Sequence, residues 1–348
     1  MALVDIRSPI ICAPMGFAGT PEMAAEVTKS GGFGFLPATF DSSTKIVENL
    51  RTIRKSLGVA EGQPTPAGVG FIGWILDMTE KSDDPRLAAI LAESPVAIWF
   101  AFGKDLAPYV AQVRRFDTNR THKTLVFIIV NSVEDAQHAT KDMGADVLVV
   151  QGIEAGGHGG SYAPPLFTLL PAVLRALPDG PPILAAGGIS TGAQIAALLS
   201  LGASGVAIGS RFLFTPECCY PDAYKSVLIR AGLNATVRGL CFDEVNRTMG
   251  WPPNHNGRAI ANDICKDAEE GVNLEERLRR FDESKLKEEN TRLVIWAGVG
   301  VGLTDEIKDT ATVFQELHED MVKTLNIFTI GCASYKIITS EGGMSNEL

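Results

Sequence analysis

Two kinds of stretch alternate along the chain. Short apolar runs ending in Gly or Pro are each followed by a longer segment whose apolar positions recur at helical spacing. The runs are PIICAP (9–14), GFGFLPA (32–38), AGVGFIGW (67–74), VAIWFAFG (96–103), TLVFIIV (124–130), DVLVVQG (146–152), PILAAGG (182–188) and GVAIGSRF (205–212). They predict eight strands, and because they are apolar throughout, the sheet should be parallel and covered on both faces. Eight such strands in βα alternation close most economically into a (β/α)8 TIM barrel, an α/β fold, with an open doubly wound sheet as the alternative.

The intervening segments carry helix punctuation. Thr20 and Pro21 open one helix that Gly31 ends, Ser132 and Asp135 open a second that Gly144 ends, and Thr191 with Gln194 opens a third that Gly202 ends. After the eighth run the pattern changes. The stretch 235–290 is rich in charge, with LEERLRRFDESKLKEEN at 274–290 and Pro253 following the aromatic Trp251. This places a barrel over 1–234, a mostly helical subdomain packing near the barrel mouth over 235–340, and a flexible tail, EGGMSNEL, over 341–348. A last helix is expected from Leu303 to Leu325, with Ile307, Val313, Leu317 and Met321 on its apolar face.

Composition narrows the function. The 348 residues are 45% hydrophobic and 21% charged, with no run approaching the roughly 18 apolar residues of a membrane span. A net charge of -10 repels phosphate backbones and anionic membranes, which leaves small molecules as the expected partners. Cys12, Cys218, Cys219, Cys241, Cys265 and Cys332 form no metal-ligand cluster and read as reduced thiols. No leader or targeting pattern is visible, so the expected location is the cytoplasm.

In a parallel barrel the chemistry lies at the carboxyl ends of the strands. The seventh run ends in Gly187 and Gly188 and the eighth in Gly209, Ser210 and Arg211, where barrel phosphate sites are commonly built. Arg211 reads either as part of that site or as a plain ion-pair residue. The sixth run ends in QGIEAGGHGG (151–160), which sets Gln151, Glu154 and His158 among five glycines. Backbone so lightly substituted suits a flat or anionic ligand, and His158 is the candidate acid or base. His122, His138, His255 and His318 read as structural or solvated, whereas Trp74, Trp99 and Trp251 are candidates for core or for a wide apolar pocket.

The motifs IICAPM, GGFGFL (31–36), VVQGIEAGGHGG (149–160), ILAAGGIS (183–190) and LGASGVAIGSRFL (201–213) resemble the nitronate monooxygenase family, formerly the 2-nitropropane dioxygenases. WPPNHNGRAIAND (251–263) and AGVGVGL (297–303) resemble its largely fungal branch. The resemblance implies an FMN-containing flavoprotein that oxidises alkyl nitronates, with nitroalkanes as further candidates, using dioxygen and no metal, to carbonyl compounds and nitrite. It implies that Ala13, Pro14, Met15, Gln151, Gly156 and Gly157 border the flavin, that Gly187, Gly188, Gly209 and Ser210 hold its phosphate, and that His158 is catalytic. A neutral imidazole near its reference pKa of about 6.5 suits removal of the acidified proton next to a nitro group.

Three positions depart from the family's usual residues: Cys12 replaces a glutamine, Gly70 an asparagine and Ile129 a Gln or Lys facing the flavin. The resemblance thus implies three lost polar contacts. The competing readings are an NAD(P)H-using, FMN-dependent enoyl-thioester reductase, a biosynthetic oxidation of a larger metabolite, and a barrel that has lost turnover. GVGVG (298–302) lacks dinucleotide-loop spacing and reads as a close-approach turn towards the flavin.

Overall fold

The computed structural model describes residues 6–331. Its strands are β1 (Ile10–Cys12), β2 (Phe33–Ala38), β3 (Thr65–Ile72), β4 (Pro95–Ala101), β5 (Leu125–Val130), β6 (Val147–Gln151), β7 (Gly157–Gly160), β8 (Ile183–Ala186), β9 (Gly205–Ile208), β10 (Thr236–Gly239) and β11 (His255–Ile260). Eight of them close into a parallel barrel in the order β1-β2-β3-β4-β5-β6-β8-β9, and each grows from one of the eight apolar runs. Closure is direct, because β1 pairs with β9 through Ile10↔Val206 to Cys12↔Ile208 as well as with β2.

The helix punctuation does what its chemistry demands. Thr20 accepts from the backbone N–H of Met23 ahead of the helix Pro21–Lys29, Ser132 accepts from Asp135 ahead of Val133–Lys141, and Thr191 and Gln194 form a reciprocal capping box before Gly192–Ser200. The glycines behind these helices, Gly31, Gly144 and Gly202, adopt φ of 101°, 69° and 107°, which a side chain would resist.

Burial divides along the pleat. Ile11, Phe33, Phe35, Trp99, Phe127, Val149 and Leu184 fill the barrel interior, while the alternate residues pack outward against the helices. Two glycines of β3 make room inside. A Cβ on Gly68 would lie 2.2 Å from the Phe35 ring, and one on Gly70 would lie 2.4 Å from Pro14.

The second unit departs from its expected form. Beside the helices Cys241–Asn246, Asp263–Glu269 and Leu274–Leu286, it carries β10 and β11, which join β7 in an antiparallel sheet of order β10-β11-β7. Polar and glycine-rich strands such as HNGRAI lack an apolar run, so their pairing is invisible to hydrophobic periodicity. The last helix is Thr310–Gly331, beginning later than Leu303 because Val299–Leu303 forms a 3-10 turn. Val313, Leu317 and Met321 are buried as expected, but Ile307 precedes the helix and is 39% exposed. This helix lies along the outer wall of the barrel: the backbone N–H of Ala193 donates to Asp320 Oδ2 at 2.8 Å, and His318 Nδ1 meets Ser8 Oγ at 3.0 Å. Cys332 and the expected tail at 341–348 lie outside the described residues. Among the described residues, no helix is long and apolar enough to cross a membrane.

Candidate active site

A cavity of about 210 Å³ opens at the carboxyl ends of the barrel strands. All thirteen residues singled out as site candidates line it: Ala13, Pro14, Met15, Gly70, Ile129, Gln151, Gly156, Gly157, His158, Gly187, Gly188, Gly209 and Ser210. They come from positions as far apart in sequence as 13 and 210, and the barrel's closure is what gathers them.

On one side the wall is made of backbone. Gly187 and Gly188 turn at φ of 113° and 72°, conformations that keep side chains away from the loop after β8. A Cβ on Gly209 would meet only Met15 Sδ, at 3.6 Å, so the space in front of it is open. Ser210 Oγ accepts from the backbone N–H of Gly298 at 2.8 Å, which leaves its hydroxyl proton available to a ligand. The 297–303 segment closes over this wall. Val299 N–H donates to the Glu154 carbonyl at 3.0 Å, and Ser190 Oγ donates to the Gly300 carbonyl at 2.9 Å.

On the other side the wall is made of side chains. The β11–β7 register sets Gly257 opposite His158, and the missing side chain at 257 gives room to the Trp296 ring. His158 Nε2 lies 2.9 Å from both oxygens of the fully buried Asp243. The same carboxylate accepts from Thr248 Oγ1 at 2.9 Å and from Trp251 Nε1 at 3.0 Å, so its burial is compensated by three donors. The Trp251 ring stacks on the His158 imidazole at 3.4 Å and 8°. With Nε2 committed to Asp243, the neutral ring carries its proton there and leaves Nδ1 as its free acceptor.

Burial lowers the His158 pKa below its ordinary 6.5, and Arg238 and His255 push the same way. The Asp243 carboxylate opposes the shift without cancelling it. The imidazole is therefore neutral at neutral pH. Arg238 is itself half-buried, and burial together with Arg258 brings its guanidinium down to about 10.

Gln151 acts on the loop from below. Its Nε2 donates to the His158 carbonyl at 3.2 Å, and its Oε1 accepts from Asn131 Nδ2 at 3.0 Å, while Asn131 Oδ1 receives the Gly160 N–H at 3.0 Å. Glu154 faces away from the cavity and accepts from the Leu166 N–H at 3.0 Å. Arg211 does not line the cavity: it is buried, with Nη2 3.5 Å from Glu316 Oε2. The remaining histidines do not line the cavity; His122, for example, meets the Pro95 carbonyl at 3.3 Å. Trp99 and Trp251 line the cavity, whereas Trp74 reaches it only through ring contacts with Phe40 and Trp251.

The three departures separate. Ile129 and Gly70 face the cavity and offer no polar side chain there, and at Gly70 any Cβ would collide with Pro14. Cys12 does not face the cavity: it is buried among the outward-facing core residues, and burial raises its thiol pKa. Two polar contacts are absent from the cavity wall rather than three, because the pleat turns position 12 outward.

Several site residues carried no recognisable signal in the sequence. Asp243 lies 85 residues from His158 in an ordinary helical stretch, and Asn131, Thr248 and Trp296 belong to no motif.

The fold and the cavity define a closed parallel (β/α)8 barrel with its candidate site at the strands' carboxyl ends. Comparison with known proteins gives the family. The nitronate monooxygenase family profile matches residues 1–320. A nitronate monooxygenase of Neurospora crassa is 34% identical, with 89% of this chain and 88% of that protein covered. Among solved structures, FabK from Thermotoga maritima has a TM-score of 0.76 at 24% identity, covering 94% of this chain and 97% of that one. The nitroalkane oxidase of Streptomyces ansochromogenes has a TM-score of 0.74 at 24% identity, covering 93% and 98%. The chain belongs to the nitronate monooxygenase family and is a flavin-dependent oxidoreductase.

Proposed function

We propose that the protein binds FMN in this cavity and oxidises nitronates, with dioxygen as co-substrate, to carbonyl compounds and nitrite in the cytoplasm. The observation that carries the reading is the convergence on one cavity of an open glycine and Ser210 wall with a neutral, carboxylate-anchored histidine. The cofactor fits the residues present: the empty space before Gly209 and the spare Ser210 proton suit its phosphate, and Pro14, Met15, Gly70, Ile129, Gln151, Gly156 and Gly157 would border its rings. When bound, the flavin supplies the electron transfer.

The chain's own residues supply position and a proton acceptor. For a neutral nitroalkane, His158 Nδ1 takes the α-proton, the resulting imidazolium is stabilised by Asp243, and the Trp251 face adds a cation–π contact. For a substrate that arrives as the nitronate, the same imidazole positions the anion. The apolar residues lining the cavity exclude water from both steps. The test is the visible spectrum of the purified protein, taken anaerobically before and after adding a small alkyl nitronate. Bleaching of a flavin band is the expected result. A flavin that stays oxidised with nitronate but bleaches with NAD(P)H would replace this reading with that of a reductase.

A further inference from the structure

We propose that the outer half of the cavity is an aromatic clamp for the substituent of the nitro compound or nitronate, selecting one that is aryl or similarly flat, apolar and uncharged; the inference rests on the function proposed above. The loops after β1, β2 and β4 contribute the rings of Phe17, Phe40 and Phe102, and the helix Gly73–Thr79 that follows β3 contributes Trp74 behind them. The rings form a continuous wall. Phe17 stacks on Phe40 at 5.8 Å, Phe40 meets Trp74 at 5.9 Å, and Trp74 and Phe102 meet Trp251 at 5.5 and 5.6 Å. Trp251 is the ring stacked on His158, so the wall runs from solvent to the proposed base.

Folding alone does not account for this arrangement. Phe17 and Phe40 line the cavity yet are 53% and 44% exposed, so they contribute little to the core. Phe17 and Phe102 both hold left-handed backbone, φ 64° and 55°, a conformation that costs free energy for a residue with a Cβ and gathers where a ligand is clamped. An exposed ring held on strained backbone at the mouth of a reaction cavity offers a flat partner both a face and an edge.

Charge fixes the other half of the assignment. Among the described residues no Lys, Arg, Asp or Glu lines the cavity. Arg238 and Arg258 lie on the opposite face of the β10-β11-β7 sheet from His158 and donate to Asn256 and to the Ile153 carbonyl. A carboxylate on the substrate's tail would lose its water without gaining a counter-charge.

The test compares kcat/KM of the holoenzyme for the nitronates of nitroethane, 2-phenylnitroethane and 3-nitropropionate, together with calorimetric binding of nitrobenzene and 2-methyl-2-nitropropane, neither of which has an α-hydrogen. The phenyl nitronate should exceed the ethyl one by tenfold or more, and the carboxylate should be poorest. Nitrobenzene should bind at least tenfold tighter than 2-methyl-2-nitropropane, and Phe40→Ala should shrink both ratios. Turnover of all three nitronates without a phenyl preference overturns the clamp and leaves the proposed function intact. Tight nitrobenzene binding weakened by Phe40→Ala, with no nitronate oxidised, keeps the clamp and overturns the function.

Discussion

The two walls of the cavity are built by opposite means. The wall after β8 and β9 is backbone: Gly187, Gly188, Gly209 and Ser210 act through what they leave open, and their neighbours in sequence are their neighbours in space. The His158 wall is an assembly in which a strand histidine, a helix carboxylate 85 residues away and an aromatic from a third segment meet. The first kind is suited to the anion proposed for it by backbone that its own residues leave open. The second sets the protonation of one ring, and it depends on every partner arriving. Phosphate binding needs many weak, replaceable donors, whereas proton transfer needs one group at one pKa.

The contrast can be broken most forcefully at His158. His158→Asn should cost on the order of 100- to 10,000-fold in kcat/KM for a neutral nitroalkane while sparing the preformed nitronate, as measured by oxygen uptake. Equal loss on both substrates would assign the histidine to positioning alone. Asp243→Asn should follow, with a loss of about tenfold or more on the neutral substrate. Asp243 raises the imidazole pKa against burial, so its removal should move the acid limb of the pH profile to still lower pH. An unmoved limb would show that the carboxylate only supports the fold.

The backbone wall answers to a different change. Gly209→Ala adds a methyl to open space, so the melting temperature without FMN should hold while FMN affinity falls by about tenfold, the worth of a charge-assisted hydrogen bond. A drop in stability without a change in affinity would show that the glycine serves the turn. On the floor between the walls, Ile129→Gln restores one polar contact and should speed anaerobic flavin reduction by a nitronate about fivefold, the scale of one hydrogen bond.

The smallest effect is on stability. The folded pKa of His158 lies below the unfolded value of 6.5, so the unfolded chain binds more protons as pH falls through that window. Stability is thus present above 6.5 and lost towards the folded pKa. Thermal melts of the wild type should lose more stability over that interval than those of His158→Asn.

Much of this was legible before the fold was known. The eight apolar runs marked the eight barrel strands because a strand buried on both faces has no polar alternation to disguise it. The capping residues and the glycines behind three helices were equally plain, since caps are local chemistry. What escaped was nonlocal. β10 pairs with β11, and β11 with the glycine-rich β7, through backbone hydrogen bonds that any polar sequence can make. The outward turn of Cys12 is likewise a matter of strand phase, and the conformation of β1 decides it.

The sequence by itself determined the barrel, the glycine wall and the identity of the histidine, because each is written in adjacent residues whose conformational limits are intrinsic. The tertiary structure alone decided that Asp243 meets His158, that Trp251 stacks on it, and that three loops and a helix bring their rings into one wall. Those contacts join segments whose local preferences say nothing of one another, and closure of the barrel and pairing of the β10-β11-β7 sheet bring them within reach.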